Sequence, residues 1–272
     1  MDQPLEPTET EQTIGSRDLT RWHTAAGRWL SRLFGELADR LRSVESAALL
    51  LLALAGVLAV GATVLAGEIY SSIVNSSGIA RFDEPVLDWM ISIRTPALNA
   101  AVIVFSASGG TFWMTLLSSI AVISLCLIWS RWTPFVLTVI AVAGSLSMTV
   151  AGKRLSGRAR PPLEDSLPPP ETSASFPSGH SLNSLVIGGT LCYLLVSHLA
   201  GVVARAVTIT LTVLYVIAMG LSRVYLGHHW LTDVLGAWCL GIAWLTVVIT
   251  SHRLWLTQHT DHSVGPRKQV EA

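Results

Sequence analysis

Residues 47–66 form an apolar run with no charged side chain. No other feature constrains the chain as strongly. At about 1.5 Å per residue, a helix of this length crosses a hydrocarbon core of about 30 Å. Inside lipid such a run satisfies its own backbone polar groups as a helix. Runs of the same character follow at 112–129, from the turn at 130–134 to about 152, and at 181–199, 206–221 and 234–251. Only 13% of residues are charged and 51% are hydrophobic, against about 25% charged in soluble domains. The reading is an all-α polytopic bundle of six transmembrane helices, with a length that suits one domain. The first run is no cleaved signal peptide, because the 46 residues ahead of it exceed a short basic leader.

The rest of the chain divides around these spans. Residues 1–17 are polar and acidic and predict a disordered tail. Over 18–45, Leu19, Trp22, Ala26, Trp29, Leu33, Leu37 and Leu41 recur at helical steps, with Arg21, Arg28, Arg32 and Arg42 largely on other faces. That pattern predicts a basic amphipathic helix on the cytoplasmic membrane surface; packing against the bundle or a partner is the alternative. Residues 68–110 are mixed and punctuated by Pro96 and Gly109-Gly110, which predicts interfacial helices and no full span. The six-span domain covers 46–252 and a cytoplasmic tail 253–272.

Composition removes several classes. Net charge is zero, so no basic surface calls for nucleic acid. Cys126, Cys192 and Cys239 lie inside apolar runs, spaced neither for zinc nor for a disulfide framework, and read as core residues. Arginine exceeds lysine 16 to 2 and alanine is abundant, which suits a GC-rich bacterial genome. With the N-terminus inside, eleven lysines and arginines flank the spans on the cytoplasmic side and seven on the other. The bias predicts a bacterial inner-membrane protein with both termini cytoplasmic.

Topology then concentrates the polar motifs. With six spans, the ends of spans three and five and the starts of four and six share the non-cytoplasmic face. GKRLSGRARPP, FPSGH and SRVYLGHHWLTD therefore converge there. Lys153, Arg160 and Arg223 are cations near membrane depth, where ionisable groups are costly and usually functional. Facing one another they repel unless they share an anion, and a phosphate suits arginine forks. Headgroup snorkelling is the plain alternative, and it suits Arg154 and Arg158 well. Gly179 permits close backbone approach to an anion at a helix start, where N–H groups are unpaired, and Ser178 adds a hydroxyl. Taken alone, Pro-Ser-Gly fits an ordinary helix start. His229 and Asp233 are four apart, on one face if the last span begins early. A carboxylate on one ring nitrogen fixes the tautomer and leaves the other nitrogen as a nucleophile. His180 then stands as the acid for a leaving alkoxide. A lone His-x-x-x-Asp pair also fits a helix cap. Glu164 and Asp165, in the Pro-rich loop at 161–170, repel an anionic substrate unless they point away.

These residues resemble the type 2 phosphatidic acid phosphatase (PAP2) family. Lys153 with Arg160-Pro161 looks like its first signature. Pro177-Ser178-Gly179-His180 looks like its second, and Ser222-Arg223, His229 and Asp233 like its third. The motifs cover 153–233, and the six-span layout extends the likeness to about 251. The resemblance implies a PAP2/haloperoxidase-like helical core and metal-independent hydrolysis of a phosphomonoester or diphosphate, with no cofactor. It implies that His229 forms a phosphohistidine oriented by Asp233, and that His180 protonates the leaving group. Lys153, Arg160, Ser178, Gly179 and Arg223 then hold phosphate oxygens. His228 is no signature position and reads as a neighbour. The partner so implied is a membrane-borne lipid phosphate: a polyprenyl diphosphate, phosphatidate or phosphatidylglycerophosphate. A phosphotransferase using the same site and a transporter are the alternatives. Clustering of the charges at one face speaks against the transporter. Oligomeric state is left open.

Overall fold

The computed structural model describes Thr13–Ile14, Arg17–Asp18 and residues 44–261, with side chains over 49–256. Contacts divide the chain into Met1–Leu52 and Ala53–Ala272. In the first unit, Thr13–Ile14 (β1) pairs antiparallel with Arg17–Asp18 (β2), Thr13 opposite Asp18 and Ile14 opposite Arg17. The expected tail at 1–17 and interfacial helix at 18–45 otherwise lie almost wholly outside the described residues, as do residues 262–272.

In the second unit every regular element among the described residues is helical. Val44–Val74 (α1) enters it, followed by Asp83–Ser92 (α2), Pro96–Ala107 (α3), Thr111–Trp129 (α4) and Thr133–Ser156 (α5). Gly179–His198 (α6), Val202–Tyr225 (α7) and Leu231–Asp261 (α8) complete it. Six of these, α1 and α4 to α8, are long and apolar enough to cross a membrane. Large apolar side chains such as Leu127, Val202 and Val57 stand about three-quarters exposed on the outside, which suits hydrocarbon surroundings. The short α2 and α3 occupy the segment expected to be interfacial.

The helices overrun the apolar runs. Helix α5 continues to Ser156, α7 reaches Tyr225, and α8 starts at Leu231, where hydropathy placed limits near 152, 221 and 234. Hydropathy marks contact with lipid. The polar ends stay helical because their side chains find partners inside the protein.

Helix α6 is the centre, packed on α5, α7 and α8. Leu182 and Val186 pack with Ala141 of α5 and Ala237 of α8. Small and hydroxylated residues let the backbones approach, as membrane helix interfaces require. Ser181, Ser184 and Thr190 are fully buried, and Ser145 Oγ donates to Asn183 Oδ1 at 2.5 Å. At one end, Met90 of α2 joins Val224, Tyr225, Leu226 and Val234 in a second cluster. Arg94 donates twice to Tyr225 O, at 3.0 and 2.6 Å, and Tyr225 Oη donates to Asn99 Oδ1 at 2.7 Å. Thus α2 and α3 brace the end of α7, where the polar residues begin.

Candidate active site

Two backbone devices set the site. Helix α5 stops at Gly157 in the left-handed region, its N–H returning to Lys153 O at 3.2 Å, as helix ends commonly do. The chain then turns back with Arg158 and Arg160 facing the bundle. After α7, Gly227 has φ +71 and lies against Asp165 O, where any side chain would collide. That tight turn lets His228 N and His229 N both donate to Arg223 O, at 3.0 and 3.2 Å. Arg223, His228 and His229 are thereby held in one compact frame.

His229 is 1% exposed. Its Nδ1 faces Asp233 Oδ2 at 3.4 Å, and its Nε2 faces Arg160 Nη1 at 3.3 Å. A guanidinium only donates, so Nε2 accepts and the ring proton sits on Nδ1 toward Asp233. Burial holds the imidazole at about 4, with Asp233 pulling the other way, so the ring is neutral at pH 7. The pair does not share a helix face as expected. His229 precedes α8 by two residues, and Asp233 reaches back to accept Trp230 N at 2.9 Å. Asp233, fully buried, also accepts from Ser175 Oγ and from Arg158 Nη1 at 2.5 Å.

Arg158 corrects a second expectation. It does not snorkel. Its other arm donates to Asp83 Oδ2 at 2.6 Å, and its side chain is 14% exposed. Arg154, its neighbour in the cluster, is the exposed one. In lipid-facing protein a buried guanidinium persists where carboxylates neutralise it, and here two do.

The remaining cations converge on an acid that hydropathy and motif spacing did not flag. Glu171 pairs with Arg223 through Oε1 and with Arg160 through Oε2 at 2.7 Å. Its Oε2 lies 4.0 Å from His229 Nε2, and its Oε1 lies 3.9 Å from His228 Nδ1. Burial opposes the charge, but Arg223, then His229 (cationic in that low-pH range) and Arg160, outweigh it and hold the carboxyl at about 2. An anion is thus already seated between both arginines and in front of the histidine. One sequence signal could have found it: facing cations need a counter-anion, and Glu171 lies in the loop between two of the motifs. Of the two acids expected to repel an anion unless they point away, Glu164 is exposed and Asp165 turns its backbone to Gly227.

The other expected residues are arranged around this pair. Lys153 Nζ donates to Ser173 Oγ at 2.8 Å and Ala174 O at 2.6 Å, and so holds the loop that carries Glu171. Ser178 caps α6, its Oγ accepting from Ser181 Oγ at 3.0 Å, and its N donates to Asp233 O at 3.3 Å. Its hydroxyl therefore points into the helix turn. A side chain at Gly179 would meet only Thr149 Cγ2 at 3.4 Å, so packing does not explain the glycine. His180, one residue on, lines a cavity of about 320 Å³ with Ser106, Glu171, Arg223 and His228. Arg223 is held there by Ser106, donating through Nη1 at 2.6 Å, and its buried Nε has no hydrogen-bond partner. His228 Nε2 donates to Leu167 O at 2.7 Å. Its Nδ1 is bare and unpartnered, and burial followed by Arg223 pushes the ring below its usual range.

Two basic forks, a tautomerically defined neutral imidazole and a helix start can together bind a tetrahedral oxyanion and attack it. That is the layout of a membrane phosphatase. Residues 132–256 match the PAP2 superfamily. Phosphatidylglycerophosphatase B of Bacillus subtilis (strain 168) is 31% identical over 181 residues, 66% of this chain and 85% of that protein. An undecaprenyl-diphosphatase of Sulfolobus acidocaldarius is 35% identical over 107 residues, 39% of this chain and 42% of that one. The crystal structure of a transmembrane PAP2-type phosphatidylglycerolphosphate phosphatase from Bacillus subtilis superposes with a TM-score of 0.64. That match has 23% identity and covers 78% of this chain and all of that one. The chain belongs to the PAP2 superfamily and is a multi-pass membrane protein that hydrolyses phosphate esters.

Proposed function

We propose that the protein hydrolyses a lipid phosphate through a phosphohistidine on His229, at the outer face of a bacterial inner membrane. The observation that carries this reading is His229 Nε2, unprotonated and 3.3 Å from Arg160, with its other nitrogen turned to Asp233. The substrate phosphate takes the place of the Glu171 carboxylate between Arg160 and Arg223. Lys153, Ser178 and Gly179 complete the phosphate cradle once Lys153 and the Ser178 hydroxyl turn from Ser173, Ala174 and Ser181. Nε2 attacks phosphorus, and the bond to the leaving oxygen breaks as His180 gives that oxygen its proton. Asp233 stabilises the cationic phosphohistidine. His180 then takes a proton from water, the hydroxide attacks phosphorus, and the N–P bond breaks to release phosphate.

Six spans around a site at the bundle end suit a substrate that arrives sideways with its tail in the bilayer. The arginine bias favours the outer side for that end. The relatives' names direct attention to phosphatidylglycerophosphate and a polyprenyl diphosphate, with phosphatidate as a third candidate. The test is phosphate release from these lipids by purified protein in detergent, with a chelator present. Release that survives the chelator and vanishes in His229→Ala is expected. Folded protein that releases nothing from any of them, or His229→Ala with near wild-type turnover, refutes the reading.

A further inference from the structure

Asp83 opens α2, well ahead of the residues 132–256 that match the family, yet it is 4% exposed and lies beside the site. Its Oδ1 accepts Thr232 N at 2.9 Å and its Oδ2 accepts Thr232 Oγ1 at 2.7 Å. Arg158 bridges from it to Asp233 with contacts of 2.6 and 2.5 Å and also donates to Thr232 Oγ1 at 2.8 Å. Asp83, Arg158 and Thr232 close a ring that ends on the carboxylate paired with His229.

We infer that Asp83 and Arg158 are positioning residues for the reaction, acting through Asp233 to hold the His229 ring and to set the charge it feels. The inference rests on the reading of His229 as the attacking group. The charge argument is simple. Arg158 alone on Asp233 would cancel the negative charge that a phosphohistidine cation needs beside it. Asp83 on the second arm of the same guanidinium leaves the three groups with one net negative charge, screened less in a buried setting than in water. The geometry argument runs in parallel. Asp233 Oδ1 is committed to Arg158, which turns Oδ2 to Ser175, Trp230 N and His229. A carboxylate free to rotate would not keep the imidazole in one tautomer. A role confined to capping α8 explains the Thr232 contacts but not the bridge to Asp233.

Phosphate release from phosphatidylglycerophosphate and from a polyprenyl diphosphate in detergent reads the effect across pH. Asp83→Asn keeps the size and the acceptor oxygen and removes the charge. We expect kcat to fall about tenfold to hundredfold, the range for a hydrogen bond to a charged group, with KM little changed. Removing the negative charge makes His229 less basic, so the acid limb of kcat/KM moves to lower pH. The other charged or titratable groups facing His229, namely Asp233, Arg160, Arg223, Glu171 and His180, are the same in both proteins. In an Asp233→Asn background kcat per folded molecule should fall no further, because the route through Asp233 is already cut, whereas an independent role multiplies; turnover is normalised to folded protein because the double variant leaves Arg158 without a carboxylate. Arg158→Lys keeps the charge but cannot span both carboxylates; it should show the same kcat loss at steady KM, and it carries the test if Asp83→Asn does not fold. Wild-type, His229-dependent turnover with unchanged kcat and pH profile in these variants overturns this inference alone. A His229→Ala protein as active as wild type overturns it together with the reading of the site.

Discussion

Glu171→Gln is the sharpest perturbation of the anion site. The wild-type carboxyl is held at about 2 from an ordinary 4.5. At about 1.4 kcal/mol for each tenfold, the site favours the ionised form by roughly 3 kcal/mol. The side chain is 28% exposed, so solvent screening reduces this to roughly 2 kcal/mol. An incoming phosphate must displace that interaction before it can use the same two arginines. Glutamine keeps the shape and loses the charge. Inorganic phosphate should therefore inhibit the variant roughly thirtyfold more strongly than wild type, following from the same 2 kcal/mol. The assay is the inhibition constant of phosphate in the turnover reaction at pH 7. An inhibition constant that is unchanged or weaker in Glu171→Gln would refute the idea that carboxylate and phosphate compete for one place. Stability offers a cross-check with a defined sign. A carboxyl lowered on folding stabilises fully above pH 4.5 and loses that contribution as pH falls toward 2. The variant should be the less acid-sensitive protein in that window.

His229 gives a related pH effect. Its ring is held neutral at about 4 against 6.5 unfolded, so between those values the unfolded chain binds the extra proton and stability drops as pH falls. Unfolding temperature in detergent should decline from pH 6.5 to 4 in wild type and decline less in His229→Ala. The turn at Gly227 provides a structural test. Gly227→Ala forces a side chain into the left-handed region and against Asp165 O, at about 1–3 kcal/mol for the backbone alone. Lower unfolding temperature with a loss of turnover is expected, and wild-type values in both would contradict the role given to the turn.

The bundle was legible because six apolar runs leave few alternatives in lipid, and the even spacing of crossings brings the three motifs to one end. The eight motif residues could be named for that reason. Contacts between motif and loop were not legible. Arg154 and Arg158 sit in one cluster, and nothing in their spacing says which faces lipid headgroups. The turn at Gly157 decides it by aiming Arg158 back at Asp83, some 75 residues away in sequence. Glu171 was hidden for the same reason: its partners are Arg160, eleven residues back on the same loop, and Arg223 on α7. The His-x-x-x-Asp spacing suggested a shared helical face, but the pair spans a helix start, where the carboxylate caps Trp230 N as well as facing the imidazole.

The site holds two kinds of carboxylate, and together they neutralise its buried arginines. Asp83 and Asp233 are buried, with side-chain exposures of 5% and 0%, and share Arg158 between them. Each accepts from several buried donors, Thr232 and Arg158 for Asp83, and Ser175, Trp230 N and Arg158 for Asp233, and leaving buried donors unpaired costs about 1–3 kcal/mol each, so they stay. Glu171 stands at the cavity with its side chain partly exposed, on a loop and not on a helix. On the proposed reading an arriving phosphate replaces its two ion pairs at once, and its own charge moves toward water. A carboxylate that pairs with Arg160 and Arg223 and, under the proposed function, yields to a phosphate would let one arrangement of helices neutralise these arginines before and during turnover.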